Sequence, residues 1–222
     1  SVADFTLGMM LLYSIRTKRF VQFAAAGEWA NQADKLRFRN LYDRTIGIIG
    51  AGFVGRRVIE LLRQFPVQVL LHDPTLSAAK ATALGVKKVT IDQLCRKSDI
   101  ISSHAPSIPA TYHMLDKKRF ALMREDVLII NTSRGSVIDE RAMVAFLAKN
   151  KEAFACIDVT DPEPPAANSP LRSMENVLLT PHIAGIGASP RQGRYAVTEI
   201  ENLFKGKKLV YEVTEKMMAT MA

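Results

Sequence analysis

Only two of the 222 residues are cysteine, Cys95 and Cys156. No disulfide framework can be built from one pair set in apolar surroundings, and no metal-ligand spacing accompanies them, so a reducing cytoplasm is the expected home. A long hydrophobic run is also missing. The most apolar stretch, Val2 to Ile15, is broken by Asp4 and falls short of the roughly 20 residues that span a bilayer. Neither a basic start nor a small-residue cleavage site marks a signal peptide, so no membrane partner is expected. A concentrated basic run is absent too. Thirty Lys and Arg against 22 Asp and Glu give a formal charge of +8, but the cations are scattered (Arg16, Lys18, Arg19; Arg56, Arg57; Lys87, Lys88) without aromatic residues between them. Nucleic acid is therefore not an expected partner, and small anionic ligands are. Repeats and low-complexity tracts are lacking as well.

What is present is an ordinary globular balance, 48% hydrophobic and 23% charged, in a length that suits one large domain or a domain plus part of another. From Thr45 onward, short β-branched runs alternate with amphipathic stretches. This is the pattern of an α/β fold, a Rossmann-type doubly wound parallel sheet wrapped by helices. Strands are expected at Thr45–Ile49, Val67–His72, Asp99–Ser103, Val127–Asn131, Ala153–Val159 and Val177–Leu179, with a short one at Lys87–Val89. Helices are expected at Val54–Gln64, Ser77–Leu84, Ile91–Arg96, Asp116–Met123, Glu140–Lys149 and Arg191–Phe204. The opening stretch reads as a helix ending near Ala26, apolar nearly all round, which implies burial on several sides, against the domain and a second subunit. Residues 27–44 read as a connecting arm. Because Ser1-Val2 already lies inside the helical pattern, sequence preceding it is expected.

Gly50-Ala51-Gly52-Phe53-Val54-Gly55 follows a strand and opens a helix. In that context the first glycine permits a tight turn, the second lets backbone approach a pyrophosphate, and the third lets helix pack on strand. Gly50, Gly52, Phe53, Val54 and Gly55 are thus the expected cradle of a dinucleotide at the helix N-terminus, with Arg56 and Arg57 nearby. Asp73, at the end of the second strand, is placed to accept hydrogen bonds from the adenosine ribose and to repel a 2′-phosphate, which predicts NAD over NADP. The bland alternative is that Asp73 only begins the turn at Pro74.

Three further polar residues stand where strands end: Arg134 after Val127–Thr132, Glu163 after Ala153–Val159, and His182 after Val177–Leu179. Each alone is an ordinary loop residue. In a parallel sheet, however, the ligand crevice lies beyond the carboxyl ends of the strands, where all three converge. Together they suit reduction of a 2-oxo acid. A guanidinium holds the carboxylate in two-pronged fashion, an imidazole moves a proton at the ketone oxygen, and a carboxylate orients and charges that imidazole.

These residues carry a resemblance to the D-isomer-specific 2-hydroxyacid dehydrogenases. The similarity extends from about Val2 to the C-terminus, through Gly50–Gly55 with Asp73, Ser98-Asp99 leading to His104-Ala105-Pro106, Asn131–Gly135 with Asp139-Glu140, Asp158 through Pro164, Ser169-Pro170-Leu171, and Asn176 through Gly185. The resemblance implies that Arg134, Glu163 and His182 are catalytic, that Asp158 contacts the nicotinamide amide, and that His104, Pro106, Thr132 and Ser133 line the cofactor cleft. It implies NAD as cofactor, a small 2-oxo or 2-hydroxy acid as substrate, and a homodimer paired through the cofactor domain. It also divides the chain into an NAD-binding domain over 1–187, with 1–44 as opening helix and dimerisation arm, and a tail over 188–222 whose helix belongs to a largely absent substrate domain. Two departures fall near the nicotinamide: Ser107-Ile108 where the family has Leu-Thr, and Thr160-Asp161 where an aromatic and an acidic residue are usual. An alternative to the enzyme is an NAD(H)-binding fragment or a corepressor-like sensor without turnover.

Overall fold

A computed structural model describes residues 1–29, 40–186 and 189–218; residues 30–39 of the expected arm and the expected domain boundary at 187/188 lie outside them. In chain order the elements are α1 (Val2–Ser14), α2 (Thr17–Ala25), β1 (Thr45–Ile49), α3 (Phe53–Leu62), β2 (Gln68–His72), α4 (Ala78–Ala83), β3 (Lys87–Lys88), α5 (Ile91–Lys97), β4 (Ile100–Ser103), α6 (Lys117–Phe120), β5 (Leu128–Asn131), α7 (Glu140–Lys149), β6 (Phe154–Ile157), β7 (Val177–Leu179), α8 (Ser189–Phe204) and α9 (Glu215–Met218). The described strands form one parallel sheet in the order β3-β2-β1-β4-β5-β6-β7. The order reverses between β1 and β4, and ligands bind at such a reversal, beyond the carboxyl ends of the strands.

Side chains of a strand alternate between faces, and here both faces are dry. Ile46, Ile48, Ile100, Leu128, Ile130 and Cys156 pack with Met10, Val58, Ile59 and Leu62 on one side. Ile49, Ile101, Ile129, Ala155 and Ile157 pack with Leu94, Phe120, Met143 and Leu147 on the other. That double burial is why the strands read as unbroken β-branched runs. Helix starts follow side-chain caps: Thr90 and Gln93 form a reciprocal box at α5, Asp116 caps α6 through Arg119 N, and Asp139 caps α7 through Ala142 N.

Besides a β6 shorter than the expected Ala153–Val159 and the unexpected short helix α9, two helical stretches differ from the sequence pattern. The opening helix is two helices, because Arg16 adopts a left-handed conformation with φ of 54°. Its guanidinium is drawn to the turn before β6, pairing with the Glu152 carboxylate and donating to the Glu152 carbonyl at 3.2 Å. The expected helix over Asp116–Met123 is a single turn at Lys117–Phe120, because Leu122 N and Met123 N bond back three residues, to Arg119 and Phe120, instead of four.

Both cysteines sit inside the core, Cys95 at 0% and Cys156 at 3% exposure. Burial pushes the Cys95 thiol up to about 12 and raises the Cys156 thiol as well. We expect neither thiol to react with a water-soluble disulfide reagent at pH 8, and both to react once urea unfolds the chain; labelling of the folded chain would place one of them outside this core.

Candidate active site

The turn after β1 is fixed through the backbone N–H and C=O of Ala51. Gly50 has φ of 88°, a conformation open to glycine at no steric cost. Ala51 N donates to Asp73 Oδ2 at 2.8 Å, and Ala51 O accepts from Arg56 Nε at 2.7 Å. A trans peptide holds C=O and N–H on opposite sides, so the Gly50 carbonyl turns away from Asp73 and lies against Gly55. A Cβ at Gly55 would overlap that carbonyl oxygen, whereas one at Gly52 would meet nothing within 4 Å. The open side of Gly52 and the unpaired N–H groups of the first turn of α3 are the features a pyrophosphate needs. Phe53, 72% exposed, and the half-buried Val54 begin that turn.

Asp73 sits at the end of β2 with 8% exposure. Its Oδ1 accepts from Thr75 N at 2.8 Å, Thr75 Oγ1 at 2.7 Å and Leu76 N at 3.2 Å. Burial alone would push this carboxyl up, but the hydrogen bonds from Thr75, Ala51 and Leu76 outweigh it and hold it below the ordinary carboxylate value. Asp73 therefore both begins the turn, as the bland reading had it, and braces the glycine turn. One lone-pair direction on Oδ2 is left for a ribose hydroxyl. Beneath the turn lies His104, its Nε2 3.0 Å from Ser102 Oγ and its Nδ1 buried without a partner. Desolvation lowers its pKa to about 4, so at neutral pH the ring is uncharged. Pro106 is half-buried and its carbonyl accepts from Thr111 Oγ1 at 2.5 Å.

The loop after β5 is braced from within. Asn131, 1% exposed, accepts from Ser133 N at 3.1 Å and Ser133 Oγ at 2.9 Å, and donates to the Arg134 carbonyl at 2.9 Å. Ser133 Oγ also lies 3.0 Å from Ser103 Oγ, and Thr132 Oγ1 lies 3.1 Å from Thr6 Oγ1 in α1. The hydroxyls of Thr132 and Ser133 thus face inward and bond the side chains of Thr6, Ser103 and Asn131. Arg134 itself is exposed, with Nη1 donating to the Ser133 carbonyl at 2.7 Å. Gly135 touches the neighbouring loop so closely that a Cβ would overlap the backbone of Thr160 and Asp161. That contact lays Arg134 beside the segment leading into Glu163.

Glu163 and His182 meet directly, with Oε1 2.6 Å from Nδ1, both side chains about half exposed at 42% and 49%. His182 has φ of 55°, unusual for a residue with a Cβ and typical of functional loops. Asp158, 2% exposed, explains it. Its carboxylate accepts from Thr180 Oγ1 at 2.6 Å, Ile183 N at 2.8 Å and Ala184 N at 2.9 Å, while its carbonyl accepts from His182 N at 2.9 Å. The loop wraps one carboxylate and the imidazole is presented outward. With Nδ1 on Glu163, Nε2 is the nitrogen left to face a ligand.

The structure thus places Arg134, Glu163, His182 and the glycine turn at the carboxyl ends of neighbouring strands. Of the residues expected to line the cofactor, Asp73, Thr132, Ser133 and Asp158 have side chains engaged within the protein. Residues with no expected individual role hold the site: Asn131, Thr180, Gly135 and Thr6. Asn131, Gly135 and Thr180 lie inside motifs that carry the family resemblance, without a role of their own there; Thr6 gave no sequence signal. Among the described residues no cluster of His, Cys, Asp or Glu could hold a metal, and no helix is long and apolar enough to cross a membrane. A cleft of about 980 Å³ lies at the opposite end of the strands, between α2 and the amino ends of β4, β5 and β6, away from the convergent polar groups.

Two outcomes follow. Gly135→Ala should lower stability by about 1–3 kcal/mol through overpacking, measured by urea unfolding. His104 should make stability fall with acid: the unfolded imidazole takes up a proton below about 6.5 while the folded one waits until about 4. Stability should therefore drop between those pH values, and His104→Gln should flatten the slope.

Comparison with known proteins identifies the family to which this fold belongs. Residues 7–184 match the profile of the D-isomer specific 2-hydroxyacid dehydrogenase NAD binding domain. The chain is 35% identical over 203 residues to a D-3-phosphoglycerate dehydrogenase of Methanocaldococcus jannaschii, covering 90% of this chain and 37% of that protein. It is 34% identical over 207 residues to a hydroxypyruvate reductase of Thermotoga maritima, covering 92% of this chain and 66% of that protein. Among solved structures, a D-lactate dehydrogenase with NAD+ from Lactobacillus jensenii superposes with a TM-score of 0.81 at 25% identity, covering 96% of this chain and 68% of the other. A D-isomer specific 2-hydroxyacid dehydrogenase from Xanthobacter autotrophicus in complex with NADPH and MES gives 0.82 at 26% identity, with 97% and 87% covered. The chain spans 31% to 39% of the length of three phosphoglycerate dehydrogenases it matches. With its parallel sheet, glycine turn and three converging polar loops, the chain belongs to the D-isomer-specific 2-hydroxyacid dehydrogenase family and is an NAD-binding domain of it.

Proposed function

We propose that this chain carries the cofactor site and the main catalytic groups of an NAD-dependent dehydrogenase acting on a small 2-hydroxy or 2-oxo acid. The observation that carries the proposal is the 2.6 Å contact of His182 Nδ1 with Glu163 Oε1, on the rim that also presents Arg134 and the glycine turn. When bound, NADH would supply the hydride for reduction and NAD+ would accept it in the reverse direction; the protein orients the substrate and moves the proton. The backbone at Gly50, Gly52, Phe53, Val54 and Gly55 cradles the pyrophosphate, and the Asp73 charge disfavours a 2′-phosphate, so NADH binds more tightly than NADPH. His104 and Pro106 back the nicotinamide half of the cleft, and the lone-pair direction left on Asp158 Oδ2 suits a carboxamide N–H.

Arg134 has one Nη1 bond to its own loop and its other donors free for a two-pronged grip on a carboxylate. His182 donates from Nε2 to the ketone oxygen during reduction, and Glu163 stabilises the imidazolium before transfer. In the reverse direction the neutral ring takes the hydroxyl proton.

The substrate domain is assigned to sequence outside this chain, with α8 docking upon it. Val197, Ile200, Leu203 and Phe204 of α8 are 54% to 86% exposed, as a helix awaiting a partner surface would be. A homodimer would cover the outer face of α1, where Leu11, Leu12 and Ile15 are 40% to 44% exposed. The two buried free thiols suit a cytoplasmic setting.

The test is NADH oxidation by the chain with glyoxylate, hydroxypyruvate, pyruvate and phosphohydroxypyruvate in turn. Turnover should fall about 10²- to 10⁴-fold in His182→Ala, the usual worth of general acid–base help, while NADH affinity holds. Turnover undiminished by that substitution would remove His182 from the mechanism. NADH binding without turnover would favour a fragment or sensor, to be separated by restoring an N-terminal substrate domain. NADPH bound as tightly as NADH would remove the selectivity role of Asp73.

A further inference from the structure

The Arg134 loop is held from three directions. Asn131 and Ser103 hold it from β5 and β4, through Ser133 and the Arg134 carbonyl. The third hold comes from α1, a helix outside the sheet. Thr6 Oγ1 lies 3.1 Å from Thr132 Oγ1, with Thr6 at 0% and Thr132 at 9% exposure. The buried face of α1 is otherwise Ala3 and Met10, plus Ser14, whose hydroxyl turns back to the Met10 carbonyl. Thr6 is therefore the hydroxyl through which the buried face of α1 reaches another element. It meets the residue two before Arg134. A hydroxyl this deep must find a partner inside the protein, so Thr132 keeps its place only while Thr6 keeps its own.

We propose that Thr6 is a positioning residue for Arg134: the seat of α1 on the sheet sets the loop that presents the guanidinium. This rests on the reading of Arg134 as the carboxylate-holding group, and it adds a residue of α1, outside the sheet, to the machinery that aims it. Valine at position 6 fills nearly the same volume without the hydroxyl; serine keeps the hydroxyl and loses a methyl. Positioning predicts that serine rescues, whereas simple packing predicts that valine is the milder change.

The experiment compares wild type, Thr6→Val and Thr6→Ser by amide hydrogen exchange, and by titration of oxamate, a carboxylate probe, into the NADH-loaded chain. In Thr6→Val, exchange at residues 133–135 should quicken about tenfold, the equilibrium equivalent of one buried hydroxyl left unpaired, while β1 amides stay unchanged. Oxamate should bind about tenfold more weakly with NADH affinity held, and Thr6→Ser should restore both. Unchanged exchange at 133–135, equal acceleration in β1, or failure of serine to rescue would overturn the proposal. If wild type binds NADH but not oxamate, the oxamate arm is repeated with an N-terminal substrate domain restored, where absence of binding would overturn the carboxylate role of Arg134, and the exchange result on this chain still decides whether Thr6 sets the loop.

Discussion

Two buried carboxylates hold the functional rim, and the hydrogen bonds found for each come from neutral donors. Asp158 gathers Thr180, Ile183 and Ala184 around one side chain. Asp73 gathers Ala51, Thr75 and Leu76 around another. Backbone N–H groups and hydroxyls are fixed in direction by the chain itself, so a carboxylate satisfied by them dictates loop shape more tightly than a mobile ion pair would. The outward presentation of His182 and the orientation of the Gly50–Ala51 peptide both descend from this arrangement.

The rim then closes through absent atoms. Gly55 lets α3 start against the carbonyl of Gly50, and Gly135 lets the Arg134 loop lie on Thr160 and Asp161. Between them these two contacts set how near the cofactor turn and the catalytic loops approach their neighbours. Carboxylates give the loops their shapes and glycines their spacing. Arg134, Glu163 and His182 remain exposed at the surface so formed.

Much of this was legible beforehand, for physical reasons. Strands buried on both faces are mostly apolar, so β1 and β5 stand out by composition. A glycine turn between strand and helix has few meanings. The positions of Arg134, Glu163 and His182 after strands followed from the parallel sheet alone. What could not be read were effects set by tertiary distance. The break at Arg16 depends on Glu152, 136 residues away. The Thr6–Thr132 bond spans 126 residues. The inward commitment of Asp73 and Asp158 depends on donors that any sequence supplies, backbone N–H groups, and a pattern search cannot see where they point.

The strand order carries a consequence for the way the polypeptide matures. β1 sits mid-sheet, and its two neighbours become available at different times: Ile46 pairs with Val69 on one side and with Ile100 on the other. As the chain is synthesised from its N-terminus, β1, β2 and β3 can assemble while the second flank of β1 is still bare. That flank is apolar backbone with open hydrogen-bonding groups, the kind of edge that recruits strangers. Residues 100–103 therefore end an exposure as well as complete a sheet, and the short capped helix α5 that delivers them shortens the wait.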